Sequence, residues 1–373
     1  MSVKKKLALS LKVEKQYGEM CRKVLKKHDL LNPEMKISVR ANYLYFPLKE
    51  GGYLKRKIES ILSTELDKMG LERMVLFFEE REFTLRKNRK KGWREILAED
   101  KKFPKHLLTN LPTSFDIIGH ILIIKLEPPL LPYRKKIAEA LLLSFPNIRT
   151  VALEEKVGGE FRIRNLSFLA GERKWETVHK EHGLRYLLNP KKVYFSPRLA
   201  AERLRVAEAV ESTGEVGSEK RVLDMFAGVG PFSLLIAKRA GVEKVVAFDK
   251  NPKAIEYLNK NIKLNKINNV EAHLGDSNRV AESLLKEKKF HFIIMNFPSE
   301  PEPFFPSALT VAESPCTIYF YKIAENSEMD SVKHFLKEKS ESLGKKVESI
   351  EVRKVRTYSP TSSHYLFEVK IVS

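Results

Sequence analysis

Four apolar runs in the second half of the chain each end in a residue able to hold a ligand. Arg221-Val-Leu-Asp224 passes into the turn Met225-Phe226-Ala-Gly228-Val-Gly230, and Lys244-Val-Val-Ala-Phe-Asp249 ends in a second carboxylate. Val270-Glu-Ala-His-Leu-Gly-Asp276 ends in a third, and Phe290-His-Phe-Ile-Ile-Met-Asn296-Phe-Pro298 in an amide and a proline. Gly228 and Gly230 permit positive φ and close backbone approach, as a turn wrapped around a ligand requires. No Gly-Lys-Ser/Thr follows, which argues against a phosphate-cradling loop, and Ser233 stands where a dinucleotide fingerprint has its third glycine. Asp249 is placed to accept both hydroxyls of a ribose, and Asp276 to meet an adenine amino group.

These residues need a scaffold that brings strand ends together. Helical segments separate the four runs, so the spacing predicts the crevice of a doubly wound parallel sheet. Each feature also has a plainer reading: a glycine turn can be structural, and Asn296 can simply terminate a strand. Four ordered strand ends favour the ligand site.

At 373 residues the chain is too long for one ordinary core. Of its net charge of +20, residues 1–200 carry nearly all, with 42 Lys+Arg against 24 Asp+Glu; residues 201–373 carry 26 against 24. A basic front half before a nearly neutral rear half points to a polyanionic partner, most simply RNA or DNA. No apolar stretch reaches the ~18 residues of a membrane span, and the basic start lacks a signal peptide's apolar core, so a soluble, cytoplasmic protein is expected. Cys21 and Cys316 form no C-x-x-C, and no metal site is predicted. Gln16 is the only glutamine amid abundant Lys and Glu, a bias of heat-adapted proteins.

Residues 1–87 read as a basic α+β unit: a strand over Leu7–Val13, a helix from Glu14 to Lys27, a hairpin turning near Ala41-Asn42, a helix from Leu54 to Met69 and a strand from Val75. Arg86 to Lys91 reads as a solvated linker. Residues 92–190 read as a second α+β domain, with one strand over Phe115–Lys125, a helix from Tyr133 to Leu143 and a hairpin turning at His182-Gly183. Residues 191–373 form the Rossmann-like α/β domain.

The ordered motifs Ser114-Phe-Asp-Ile-Ile-Gly, Leu169-Ala-Gly-Glu, Thr177-Val-His-Lys-Glu181-His-Gly, Phe195-Ser-Pro-Arg198-Leu, Asp224-Met-Phe-Ala-Gly-Val-Gly and Asn296-Phe-Pro298 resemble the tRNA guanine-37 N1-methyltransferases of archaea and eukaryotes. That resemblance covers nearly the whole chain. It implies a class I methyltransferase domain using S-adenosylmethionine, preceded by two small α+β domains, and a monomer acting on the anticodon loop, with the front domain on the outer corner of the tRNA. It further implies Asp224, Gly228 and Gly230 near the methionine end, Asp249 on the ribose, Asp276 on the adenine, Phe195, Arg198 and Asn296 lining the pocket, and Phe226 as a further cofactor-binding residue.

Glu181 is the implied base for the N1 proton, though beside Lys180 it also reads as a surface ion pair. Asn296 is the implied amide for a purine edge and Pro298 a wall for a flipped base. Arg162 and Arg164 are the candidates for O6, with Arg134 and Arg149 behind them. Asn296-Phe-Pro-Ser299 departs from the Asn-Pro-Pro-Tyr of relatives that also methylate a tricyclic wyosine precursor, so the single reaction is expected. The alternatives are that wyosine-pathway methylation, transfer of the cofactor's aminocarboxypropyl arm, and a non-catalytic RNA-binding relic.

Overall fold

In the computed structural model, which describes residues 5–49, 54–68, 76–85, 91–158, 161–213, 219–279, 284 and 289–372, the chain divides into Met1–Lys91 and Gly92–Ser373. The first unit contains β1 (Lys5–Glu14), α1 (Gly18–Lys27), β2 (Ser38–Arg40), β3 (Tyr43–Pro47), α2 (Leu54–Lys68) and β4 (Phe77–Thr84). The strands order as β2-β3-β1-β4, all antiparallel. Alternation along β1 sends Leu11 and Val13 to one face, where they meet Cys21 and Leu25 of α1 and Ile58 and Leu62 of α2. The strand expected from Val75 begins at Phe77; Val75 itself, Met69 and the basic run 86–90 lie outside the described residues.

The second unit opens with α3 (Trp93–Glu99), β5 (Asp116–Ile118), β6 (Ile121–Ile124), α4 (Arg134–Ser144), β7 (Thr150–Gly158) and β8 (Ile163–Gly171), its strands ordered β5-β6-β7-β8. Trp93, Leu97, Leu122, Ile124, Ile137 and Leu141 share its core. The single strand expected over Phe115–Lys125 is instead a hairpin. Gly119 turns it at φ +56°, and a Cβ there would lie 2.1 Å from Thr177 Oγ1. Gly119 N donates to His179 Nδ1 at 3.3 Å and His120 N to Thr177 Oγ1 at 3.0 Å, so the turn is pinned to the next hairpin.

That next hairpin pairs β9 (Thr177–Glu181) with β10 (Leu184–Leu188) through His182 and Gly183, both at positive φ. Leu184, Tyr186 and Leu188 are buried against the core of the large sheet. Then come α5 (Ala200–Ser212), β11 (Arg221–Asp224), α6 (Pro231–Arg239), β12 (Lys244–Asp249), α7 (Pro252–Leu264), β13 (Val270–Leu274), β14 (Phe290–Met295), α8 (Phe305–Val311), β15 (Ala312–Glu325), α9 (Met329–Ser342), β16 (Lys346–Thr357) and β17 (Ser362–Val372).

The large sheet orders as β13-β12-β11-β14-β15-β17-β16. The first five strands are parallel, and β17 runs antiparallel to both neighbours. Val222, Leu223, Val245, Val246, Ile293 and Ile294 are at most 1 % exposed, as strands covered on both faces must be. Burying each such side chain contributes roughly 1.5–3 kcal/mol. Chain order reverses between β11 and β14, and a ligand crevice opens at the carboxyl ends of strands around such a reversal.

Candidate active site

A cavity of about 830 Å³ opens there, entirely within the second unit. On the β11–β13 side its wall includes Phe226, Gly228, Asp249 and Asp276. Gly228 sits at φ +57°, and a Cβ added to it would meet only Tyr194 O, at 3.8 Å; the space before it is free for a ligand. Its N–H donates to Asp249 Oδ2 at 2.7 Å, while Asp249 Oδ1 accepts from Asn251 N at 2.8 Å. Burial raises the Asp249 carboxyl above its ordinary value, with both N–H groups opposing. Each oxygen keeps a lone pair for a ribose hydroxyl. Asp276 is partly exposed, 3.4 Å from Lys250 Nζ.

Two expected cofactor residues stand behind this wall rather than on it. Asp224, 1 % exposed, is folded back beneath the turn, where Oδ2 accepts from Ser233 Oγ at 2.6 Å and Oδ1 from Phe226 N at 3.4 Å. Burial, with a smaller push from the Asp249 charge, drives it up to about 7. Gly230 caps α6 at φ +89°, and a Cβ there would lie 2.3 Å from Leu258 Cδ1. The turn and the helix behind it need both residues; the cavity touches neither.

The β14 side presents Asn296, Phe297 and Pro298. Asn296 Oδ1 is buried without a hydrogen-bond partner, an acceptor left for a ligand. Pro298 O accepts from Ile323 N at 2.7 Å, which fixes the proline against β15.

Phe195, Arg198, Arg162, Arg164 and Arg203 line another part of the cavity. Arg198 Nε and Arg164 Nη2 reach the two Asp116 oxygens at 2.6 and 2.8 Å, and Arg164 Nη1 reaches Glu154 at 3.0 Å. Burial pushes Asp116 up, but Arg198 and Arg164 outweigh it and hold the carboxyl below its ordinary value. Arg162 has no carboxylate partner among the described residues; Nη1 donates to Ser299 Oγ at 3.0 Å. Arg134 and Arg149 are not on the wall.

Glu181 lies one layer behind the wall, 8 % exposed. Both its oxygens are 2.8 Å from Arg203 Nη1, and Oε2 is 3.7 Å from His179 Nε2. Burial pushes this carboxyl up, but His179 and the Arg203 guanidinium outweigh it, so it is held below its ordinary value and ionised at neutral pH. It is therefore neither a surface ion pair with Lys180 nor, in this arrangement, open to the cavity.

Arg203, Asp116, Glu154 and His364 escaped the sequence reading. Asp116 was signalled, since it sits inside the Ser114-Phe-Asp motif; Arg203 and Glu154 carry no local signal, because their roles come from partners 22 and 10 residues away. Among the described residues no cluster of His, Cys, Asp and Glu could hold a metal, and no helix is long and apolar enough to cross a membrane.

Profiles of known families match along the chain: the tRNA methyltransferase 5 N-terminal domain over residues 10–51, the TYW2 N-terminal domain over 93–174 and the TRM5/TYW2 methyltransferase domain over 177–348. The chain is similar to the tRNA (guanine(37)-N(1))-methyltransferase Trm5b of Pyrococcus abyssi, with 36% identity over 98% of this chain and 99% of that one. The crystal structure of that relative superposes with a TM-score of 0.70 at 34% identity, covering 98% of this chain and 100% of its own. A complex structure of aTrm5 with tRNALeu superposes with a TM-score of 0.66 at 33% identity, over 98% and 100%. A Pyrococcus horikoshii tRNA(Phe) (4-demethylwyosine(37)-C(7)) aminocarboxypropyltransferase is 31% identical, over 74% of this chain and 95% of its own.

Proposed function

The chain belongs to the tRNA (guanine-37 N1)-methyltransferase family of archaea and eukaryotes, and on that premise we infer that it transfers a methyl group from S-adenosylmethionine to N1 of guanosine 37 in tRNA. The observation that carries the reading is a similarity that runs end to end through both chains, front unit included. Aminocarboxypropyl transfer is disfavoured, because that relative matches only 74% of the chain. The departure at Phe297 and Ser299 favours a single reaction over wyosine-pathway methylation, and the ordered cavity disfavours a relic.

Gly228, Asp249 and Asp276 fit the cofactor: an open glycine edge, a carboxylate with spare lone pairs and a second acid in line on adjacent strands. When bound, S-adenosylmethionine supplies an electrophilic methyl on a sulfonium. Asp224 and Gly230 act indirectly, by shaping the turn. Phe195, Arg198 and Phe226 add wall. Pro298 forms a rigid face for a base turned out of its stack, and the unpartnered Asn296 Oδ1 accepts from its polar edge. Arg162, unclaimed by any described carboxylate, is the residue we assign to the negative charge that grows on guanine O6.

The N1 proton needs an acceptor, and we assign Glu181, which the target reaches only when the Arg203 guanidinium in front of it shifts aside. Arg203 and His179 keep it ionised and oriented, and each carboxylate oxygen retains lone-pair capacity. Residues 1–87 are assigned to the outer corner of the tRNA and residues 92–190 to the side of the active site, with residues 191–373 as the transferase proper. A cytoplasmic monomer is part of the same proposal. The test is a pair of transcripts differing only at position 37, guanosine or adenosine, incubated with methyl-labelled cofactor. Label should enter only the guanosine transcript; equal labelling of both would place the target elsewhere.

A further inference from the structure

The cavity has one more wall, made by the C-terminal antiparallel strands. His364 on β17 stands opposite Ile323 on β15 and opposite Arg356 on β16. Ile323 in turn is hydrogen-bonded to Pro298. Pro298, Ile323, His364 and Arg356 therefore form one row, leading from the wall assigned to the target base toward the sheet edge, and all four line the cavity.

His364 is 2 % exposed, yet neither ring nitrogen has a partner, and Arg356 Nε is likewise buried and unpartnered. Leaving such groups unpaired is destabilising unless a ligand completes them. Among the described residues no carboxylate pairs with Arg356 or Arg162. Elsewhere on the cavity lining Arg164 and Arg198 are both neutralised by Asp116. Burial first, then the charges of Arg356 and Arg162, push His364 down to about 3, so its ring is neutral and carries one unused N–H donor.

We propose that His364 and Arg356 seat one phosphodiester of the RNA strand, next to the nucleotide turned into the cavity. The proposal rests on tRNA being the substrate. Guanidinium forks match phosphate oxygens, and an anion here would satisfy donors that otherwise remain buried and idle. The other anion of suitable chemistry is the cofactor's carboxylate. Sheet order argues against it: Gly228, Asp249 and Asp276 belong to the β11–β13 half, whereas His364 and Arg356 lie beyond β14 and β15.

The test uses full-length tRNA carrying a single neutral methylphosphonate at each phosphate flanking position 37. Affinity for these RNAs is measured for the wild type and for Arg356→Gln. One substitution should weaken wild-type binding about tenfold and have no further effect in R356Q, whose log-affinity against log-salt slope should be shallower by about one phosphate. Arg356→Lys should keep part of the coupling, and cofactor affinity by calorimetry should be unchanged in both. Thermal melts establish that each variant is folded. Additive losses at every phosphate would overturn the proposal, as would weakened cofactor binding with intact RNA binding. The binding readout does not depend on transfer: a wild type that makes no 1-methylguanosine refutes the assigned reaction, whereas an active wild type without the coupling refutes only the phosphate seat.

Discussion

Glu181 carries the greatest tension between sequence and structure. Its place in Thr-Val-His-Lys-Glu is legible, but its pairing with Arg203 is not, because α5 supplies that partner from 22 residues away. Removing one member of a buried pair costs about 3–5 kcal/mol, so activity lost in Glu181→Gln alone is ambiguous. The double variant Glu181→Gln/Arg203→Met resolves it. If Glu181 is the base, single-turnover transfer should fall ~10²-fold or more in both variants, while the melting temperature recovers in the double. Recovery of transfer along with stability would make the pair purely structural. Asp224 gives a pH test with the opposite sign from a paired acid. Its carboxyl rises from the ordinary 3.8 to about 7 on folding, so the folded state binds the extra proton between those values. Wild-type stability should therefore contain a component that declines as pH rises from about 4 to 7, and Asp224→Asn should lack it in chemical denaturation series. Parallel wild-type and variant pH profiles would contradict the buried, proton-hungry carboxyl.

At the scale of elements, the two glycines of one turn should fail differently. Gly228→Val places atoms in the open cavity and should abolish S-adenosylmethionine binding by calorimetry, with tRNA binding retained. Gly230→Ala drives a Cβ into Leu258, so its effect should be a lowered melting temperature. Equal losses of stability in both would mean the turn is only structural. The parallel strands β11–β14 were legible because burial on both faces leaves short, continuous apolar runs with polar ends. The hairpin at Gly119 was not: Ile117, Ile118, Ile121 and Leu122 suit either one strand or two, and the glycine's need for positive φ is created by Thr177 and His179, 58 and 60 residues later. The wall carrying His364 was hidden likewise, since cross-strand register places Arg356 beside it.

At the scale of the whole molecule, charge and architecture divide the labour. The unit of residues 1–91 has its own core, and none of its described residues lines the cavity. Deleting residues 1–87, or to Lys91 where the unit ends, should leave a folded, cofactor-binding protein that still modifies an anticodon stem-loop. Its preference for full-length tRNA and the salt dependence of binding should both shrink. Undiminished preference for whole tRNA would contradict a recognition role for the front unit. The central claim is that the cavity presents N1 of guanosine 37 to the cofactor's methyl group. It is tested most directly by incubating unmodified tRNA with the protein and S-adenosylmethionine, digesting to nucleosides and identifying the product by mass and chromatography. The account predicts 1-methylguanosine, lost when position 37 is changed; a methyl on another atom, or an aminocarboxypropyl group on the base, would contradict it.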